Sequence, residues 1–178
     1  EGTDAAHKIG ILSSLAFGTS LPPEDFYIEG ISKIEKIDFK YAMEIGYTIK
    51  HLAVAKFNNG IYELRAHPVL ISDSSYLANL KSVRNGIEIE TDLLGTLHIA
   101  GSGAGQESTA SGVISDLVYL ANSNESISKN KITTKKIEFI DFLDLTFKYY
   151  FCIEAEDLPG VMTSISSIFS ENKVGIDS

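Results

Sequence analysis

Ile9, Ile11, Leu12 and Leu15 recur at helical spacing near the start of the chain. They predict a helix from Thr3 to Phe17, stopped by Gly18. The consecutive prolines of "TSLPPEDFY" mark a turn, and "EDFYIEGISKI" reads as a short strand-like connection. In "DFKYAMEIGYTI", Asp38 is the expected N-cap of a short helix ending near Gly46. The rhythm then changes. "TIKHLAVAKFNNGIYELRAHPVLIS" holds two β-rich runs joined across an Asn-Gly pair, whose residues tolerate positive φ and so favour a hairpin. Pro68, late in the second run, points to a strand end or an edge. "GIEIETD" and "LGTLHIAG" form a second β pair with Gly95 near its turn. There Ile87 and Ile89 alternate with Glu88 and Glu90, which predicts one buried face and one wet face. "GSGAGQESTASGVISDLVYLAN" is a Gly-rich loop running into a helix from about Ser108 to Ala121.

These elements predict an α+β fold, a mostly antiparallel sheet with helices packed on one face. Residues 1–122 form the main domain, with 106–122 as its returning helix. Residues 123–146 are read as a polar linker, because "SNESISKNKITTKK" has no apolar period. From 147 onward the pattern gives a strand, a turn at "DLPG", an amphipathic helix and the start of another strand. Val161, Ile165, Ile168 and Phe169 mark the inner face of that helix. No internal repeat is present. The chain opens without Met at a helix entry and stops in mid-pattern at "VGIDS", so it is expected to be a piece of a longer polypeptide.

Composition narrows the function classes. A content of 44% hydrophobic and 22% charged residues is that of a globular protein with a real core. The net charge of −9 argues against nucleic acid or an anionic membrane as partner, since both call for a basic footprint. There is no apolar run of membrane-spanning length and no signal peptide. Cys152 is the single cysteine and cannot form an internal disulfide, so a cytoplasmic location is expected. In "YYFCIEA" it reads as a buried, inert strand thiol.

Two local patterns could carry chemistry. Asp4 and Lys8 lie four apart and therefore one above the other on a helix. The plain reading is an exposed intrahelical ion pair worth about 0.2–0.5 kcal/mol. Gly101, Gly103 and Gly105 alternate between a strand and a helix, where a bare backbone can approach a flat or charged ligand. Their spacing is not that of a dinucleotide fingerprint, and no Walker lysine follows; a tight strand-to-helix turn explains them equally well. His7, His51, His67 and His98 lack ligand spacing, so no metal site is expected. His7 reads as a solvated helix position, and Asp141 and Asp144 as solvated residues flanking buried Phe and Leu.

Taken together, the motifs resemble those of homoserine dehydrogenase. "GTDAAHK" at 2–8 is similar to that family's G-x-D-x-x-x-K run. "GSGAGQESTASGVISDL" at 101–117 resembles its second hallmark, and "EDFYIEGI" and "KFNNGIYELRAHPVLI" follow the family in order and spacing. "YYFCIEAEDLPGVMTSISSIFSENKVGI" resembles the first half of an ACT domain, which makes 147–178 a partial ββαβ, ferredoxin-like unit.

The resemblance implies NAD(P)-dependent interconversion of L-aspartate 4-semialdehyde and L-homoserine, in threonine, methionine and isoleucine biosynthesis. It implies that Lys8 is the catalytic proton donor and acceptor, and that Asp4 binds substrate and orients the lysine. Gly101, Gly103 and Gly105 would face the nicotinamide end of the cofactor. Asp157 and Gly160 would contact an amino-acid effector such as threonine, and the protein would be a homodimer or higher homo-oligomer. The family's Rossmann domain and its phosphate loop are missing from these residues, and Ser108 stands where many members have proline. The isolated chain is therefore expected to be inactive. The alternative is a non-catalytic dimerisation and amino-acid-sensing module, which would have no use for Lys8.

Overall fold

The structure, a computed structural model, describes residues 1–122 and 137–177. They divide into two compact units, Glu1–Phe147 and Lys148–Ser178.

The first unit is built on a long hairpin. Strand β2 (Tyr47–Asn58) pairs antiparallel with β3 (Ile61–Ser72) from Asn58↔Ile61 to Tyr47↔Ser72. The turn between them places Asn59 at φ 51° and Gly60 at φ 90°, the positive pair that a two-residue hairpin requires. The opposite edge of β3 takes two short parallel strands. β1 (Tyr27–Ile28) pairs at Arg65 and Ala66, and β6 (Glu138–Phe139) at Ile61 and Tyr62. By strand alternation, the nitrogen of Pro68 faces that same edge beyond the end of β1, where a missing N–H costs no ladder bond. The expected edge position thus holds within a strand that is otherwise central.

Helix α1 (Thr3–Phe17) covers one face of this sheet, and Gly18 ends it at φ 65°. Ala6, Leu21, Phe26, Leu64 and Ala66 form the buried core, ringed by Ile9, Phe17, Ile28, Tyr62 and Phe139. Leu21, Phe26 and Leu64 each contribute about 1.5–3 kcal/mol by leaving water. Helix α2 (Lys36–Glu44) packs against β2 through buried Ala42. Asp38 is the third residue of this helix, not its N-cap. Its carboxylate accepts the backbone N–H of Glu35 at 2.8 Å, so the start lies one turn earlier than expected.

β4 (Arg84–Thr91) and β5 (Gly95–Ser102) pair antiparallel as a separate two-stranded sheet, and α3 (Gln106–Asn122) follows. The fold is α+β, with antiparallel pairing along all the long strands. The predicted buried face of the second hairpin is not closed by the described residues: Ile89 is 39% and Ile99 56% exposed.

Residues 123–136 of the expected linker lie outside the described residues. Those from 137 do not behave as a polar tether. Beyond β6, residues 140–147 carry a 3-10 turn, Phe142–Asp144, along the sheet face opposite α1. There Phe142 stacks on Tyr27 at 3.6 Å, and Phe147 lies under the Arg65 guanidinium at 4.8 Å. Asp141 accepts the N–H of Leu143, and Leu143 itself is 87% exposed, not buried as its pattern suggested.

In the second unit, helix α4 (Val161–Glu171) half-buries Val161, Ile165 and Phe169, whereas Ile168 is 59% exposed. The segments expected to be strands before and after it enter no ladder among the described residues. Cys152 is exposed rather than buried, and no strand among the described residues pairs beside it. A Lys148–Asp177 ion pair at 2.6 Å ties the segments on either side of α4 together.

Candidate functional site

The first turn of α1 grows out of a fitted seat. Gly2 occupies the cap at φ 85°, and its carbonyl accepts the N–H of Ala6 at 3.0 Å. Ala6, Gly10 and Ser13 point into the core, which turns Asp4 and Lys8 to the opposite side. Lys8 Nζ donates to Asp4 Oδ2 at 2.8 Å, and both side chains are largely exposed, 56% and 83%. The pair is therefore an ammonium and a carboxylate presented together on a helix whose back is locked to the sheet.

Beside it, the outer face of α1 and residues 18–23 enclose an open, apolar groove of about 630 Å³ lined by His7, Ile11, Leu15 and Leu21. Ser14 ties its walls together by accepting the Leu21 N–H at 3.1 Å and donating to the Gly10 carbonyl at 2.6 Å. Asp4 and Lys8 are outside this groove, and His7 is the exposed residue that joins the two regions.

The three glycines play different structural parts. Gly101 is in β5, opposite Asn85, with open space where a side chain would stand. Gly103 donates its N–H to the Val83 carbonyl at 2.9 Å, and a Cβ there would fall 1.9 Å from Asn85 Nδ2. Gly105 adopts φ 121°, which only glycine tolerates easily, and its carbonyl accepts the Thr109 N–H and the Ser108 hydroxyl. Ser108, in the place of the expected proline, thus pins the first turn of α3. Among the described residues, no hydrogen bond or ion pair joins this loop to Asp4 or Lys8. In the second unit, Gly160 at φ 94° is the cap of α4, and Asp157 does not cap it. No group of residues suited to a metal ion occurs among the described residues.

A further polar cluster occupies the face of the sheet opposite α1. Arg65 is buried, with Nε donating to Glu63 at 2.8 Å and Nη1 lying 2.6 Å from His67 Nε2. His67 Nδ1 lies 2.9 Å from the Pro68 carbonyl. A neutral imidazole protonated at Nδ1 satisfies both contacts. Burial, and then the Arg65 charge, hold its pKa below the ordinary histidine value. Alternation in "ELRAH" was the available signal, since a strand there puts Glu63, Arg65 and His67 on one face.

A family model described as homoserine dehydrogenase matches residues 1–118, from before α1 through most of α3. This chain belongs to the homoserine dehydrogenase family. It is 38% identical to the homoserine dehydrogenase of Pseudomonas aeruginosa over 186 aligned positions, covering all of this chain and 43% of that protein. The Helicobacter pylori homoserine dehydrogenase is likewise 38% identical, with 99% of this chain and 42% of that protein aligned. Among solved structures, a homoserine dehydrogenase from Thiobacillus denitrificans superposes on the whole chain and on 43% of its own length, with a TM-score of 0.79 and 32% identity. The Staphylococcus aureus homoserine dehydrogenase at pH 8.5 matches 68% of this chain and 30% of its own, with a TM-score of 0.63 and 35% identity. The chain thus spans about two fifths of the homoserine dehydrogenases it matches in full. Both motif segments fall inside the family match, whereas β6, the residues after it and α4 lie beyond it.

No described helix is long and apolar enough to cross a membrane.

Proposed function

We propose that this chain supplies the substrate side of an NAD(P)-dependent homoserine dehydrogenase, interconverting L-aspartate 4-semialdehyde and L-homoserine in threonine, methionine and isoleucine biosynthesis. The observation that carries this reading is the solvent-facing Asp4–Lys8 pair at 2.8 Å on a helix anchored through its opposite face. When bound, the nicotinamide gives or takes the hydride. In the reductive direction the Lys8 ammonium polarises the carbonyl oxygen and delivers a proton to it; in the oxidative direction its neutral amine accepts the hydroxyl proton. The Asp4 carboxylate binds the substrate's ammonium group and holds the lysine in line. The open space at Gly101 suits close approach of a flat nicotinamide, with Gly103, packed on Asn85, and Gly105, at its positive φ, setting the path of the loop beside it. No loop in these residues has the fingerprint that grips a pyrophosphate, so the 178-residue chain alone is expected to be inactive.

With this reading belong a cytoplasmic homodimer or higher homo-oligomer, and an ACT-like second unit in which Asp157 and Gly160 meet a threonine effector. The test is homoserine-dependent NAD(P)H formation by the full-length polypeptide, native and with Lys8→Ala. A fall in kcat of about 10²–10⁴-fold with an unchanged circular dichroism spectrum is expected. An unaffected variant would return the pair to a surface ion pair. Turnover by the 178-residue chain would overturn its expected inactivity.

A further inference from the structure

The residues that seat the first turn of α1 converge on one imidazole. His51 projects from β2, where it stands opposite Pro68, and its Nε2 is 2.8 Å from the Glu29 carbonyl. A carbonyl only accepts, so Nε2 carries the hydrogen. The same two atoms line the space beside Gly2: a Cβ there would be 3.1 Å from His51 Nε2 and 3.1 Å from Glu29 O, and 3.0 Å from Ile28 Cγ2. One residue further on, a Cβ at Gly30 would be 3.0 Å from the Glu1 Cα. The backbone of Glu1 and Gly2 therefore passes close against that of Glu29 and Gly30, and a Cβ at Gly2 or Gly30 would press tightly on the other segment. His51 fixes that approach from the sheet side. Two residues beyond Gly2, with only Thr3 between, stands Asp4 in the first turn of α1.

We infer that His51 is a positioning residue for substrate binding: its Nε2–H holds the Glu29 carbonyl in the seat that receives Gly2, and so aims the Asp4 carboxylate. The inference rests on the reading of Asp4 as the group that meets the substrate's ammonium. A helix end that rocks by a fraction of its rise would keep its hydrogen bonds and still misdirect a carboxylate in its first turn. The effect therefore belongs in the affinity for homoserine rather than in the affinity for the dinucleotide.

The experiment uses the full-length polypeptide with His51→Leu, His51→Gln, Asp4→Asn and the Asp4→Asn/His51→Leu double variant. His51→Leu is expected to raise the KM for homoserine about three- to tenfold, the scale of one lost hydrogen bond, and to leave the dinucleotide KM unchanged. His51→Gln keeps an N–H donor and restores most of the loss. Asp4→Asn raises the homoserine KM by itself, and adding His51→Leu to it costs nothing more, because the aimed group is already gone. Equal losses from His51→Leu on both backgrounds, a parallel rise in the dinucleotide KM, or an unchanged homoserine KM would each overturn the positioning role. If Asp4→Asn leaves the homoserine KM unchanged, the reading of Asp4 fails and this inference with it. An effective Asp4→Asn with a silent His51→Leu sinks this inference alone.

Discussion

Helices α1 and α3 carry the two family motifs, yet the chain treats them differently. α1 is locked down by its own polypeptide: Ala6 is fully buried, and Gly10 and Ser13 are buried beside it. α3 is longer and comparably apolar, but it has no buried residue. Its Val113, Ile114, Leu117, Val118 and Leu120 are all at least half exposed. Two helices with similar apolar patterning can thus differ entirely in what they cover. Periodicity says that a face suits burial and says nothing about where the covering surface is.

The sharpest way to break this contrast is to overfill one helix and trim the other. Ala6→Leu forces three extra carbons into a closed site and should cost about 1–3 kcal/mol in urea unfolding of the 178-residue chain. Leu117→Ala, at a position 60% exposed, should change stability by no more than about 0.5 kcal/mol. Comparable losses would mean that α3 is covered in solution. Amide exchange sharpens the same point: the amides of α1 facing Leu64 and Ala66 should exchange far more slowly than those of α3.

A pH titration tests the sheet face opposite α1. Because His67 is held below its ordinary value of 6.5, the unfolded chain takes up a proton that the folded chain refuses. Stability is fully present above about pH 6.5, falls as the pH drops toward the depressed folded value, and levels off below it. His67→Gln should flatten that part of the curve of urea midpoint against pH. An equally steep curve in the variant would assign the slope to another group. The smallest effect concerns Asp4. Asp4→Asn removes an exposed i,i+4 pair and should lower stability by only about 0.2–0.5 kcal/mol, shrinking further in salt. A large loss would show that the pair serves the fold instead of the substrate.

What was legible in the sequence was local. The bounds of α1 follow from its apolar stripe and Gly18, and the long hairpin from Asn59-Gly60. The illegible parts are pairings between distant segments. Only two residues of "IEFIDFLDLTF" enter a ladder, so β6 left no alternation to read, and Phe142 finds Tyr27 only once the sheet exists. Cys152 was misplaced for the converse reason: an alternating pattern promised a strand, and among the described residues no partner strand covers it. For the candidate site, Asp4, Lys8 and the glycines could be named from their motifs. His51 could not, because its role depends on where the Glu29 carbonyl and the Gly2 backbone meet.

The parallel pairing of β6 with β3 also orders events in time. The hairpin around Asn59-Gly60 closes a minimal loop and can form within microseconds. Joining Glu138 to Ile61 must wait until β4, β5 and α3 have all been synthesised. On the ribosome, the hydrophobic edge at Tyr62 and the rings of Tyr27 and His67 therefore stand open while the rest of the chain emerges. Among the described strands of this sheet β6 is the last to be made, and the interval before it arrives is when the nascent hairpin is most exposed to capture by a chaperone or by another copy of itself.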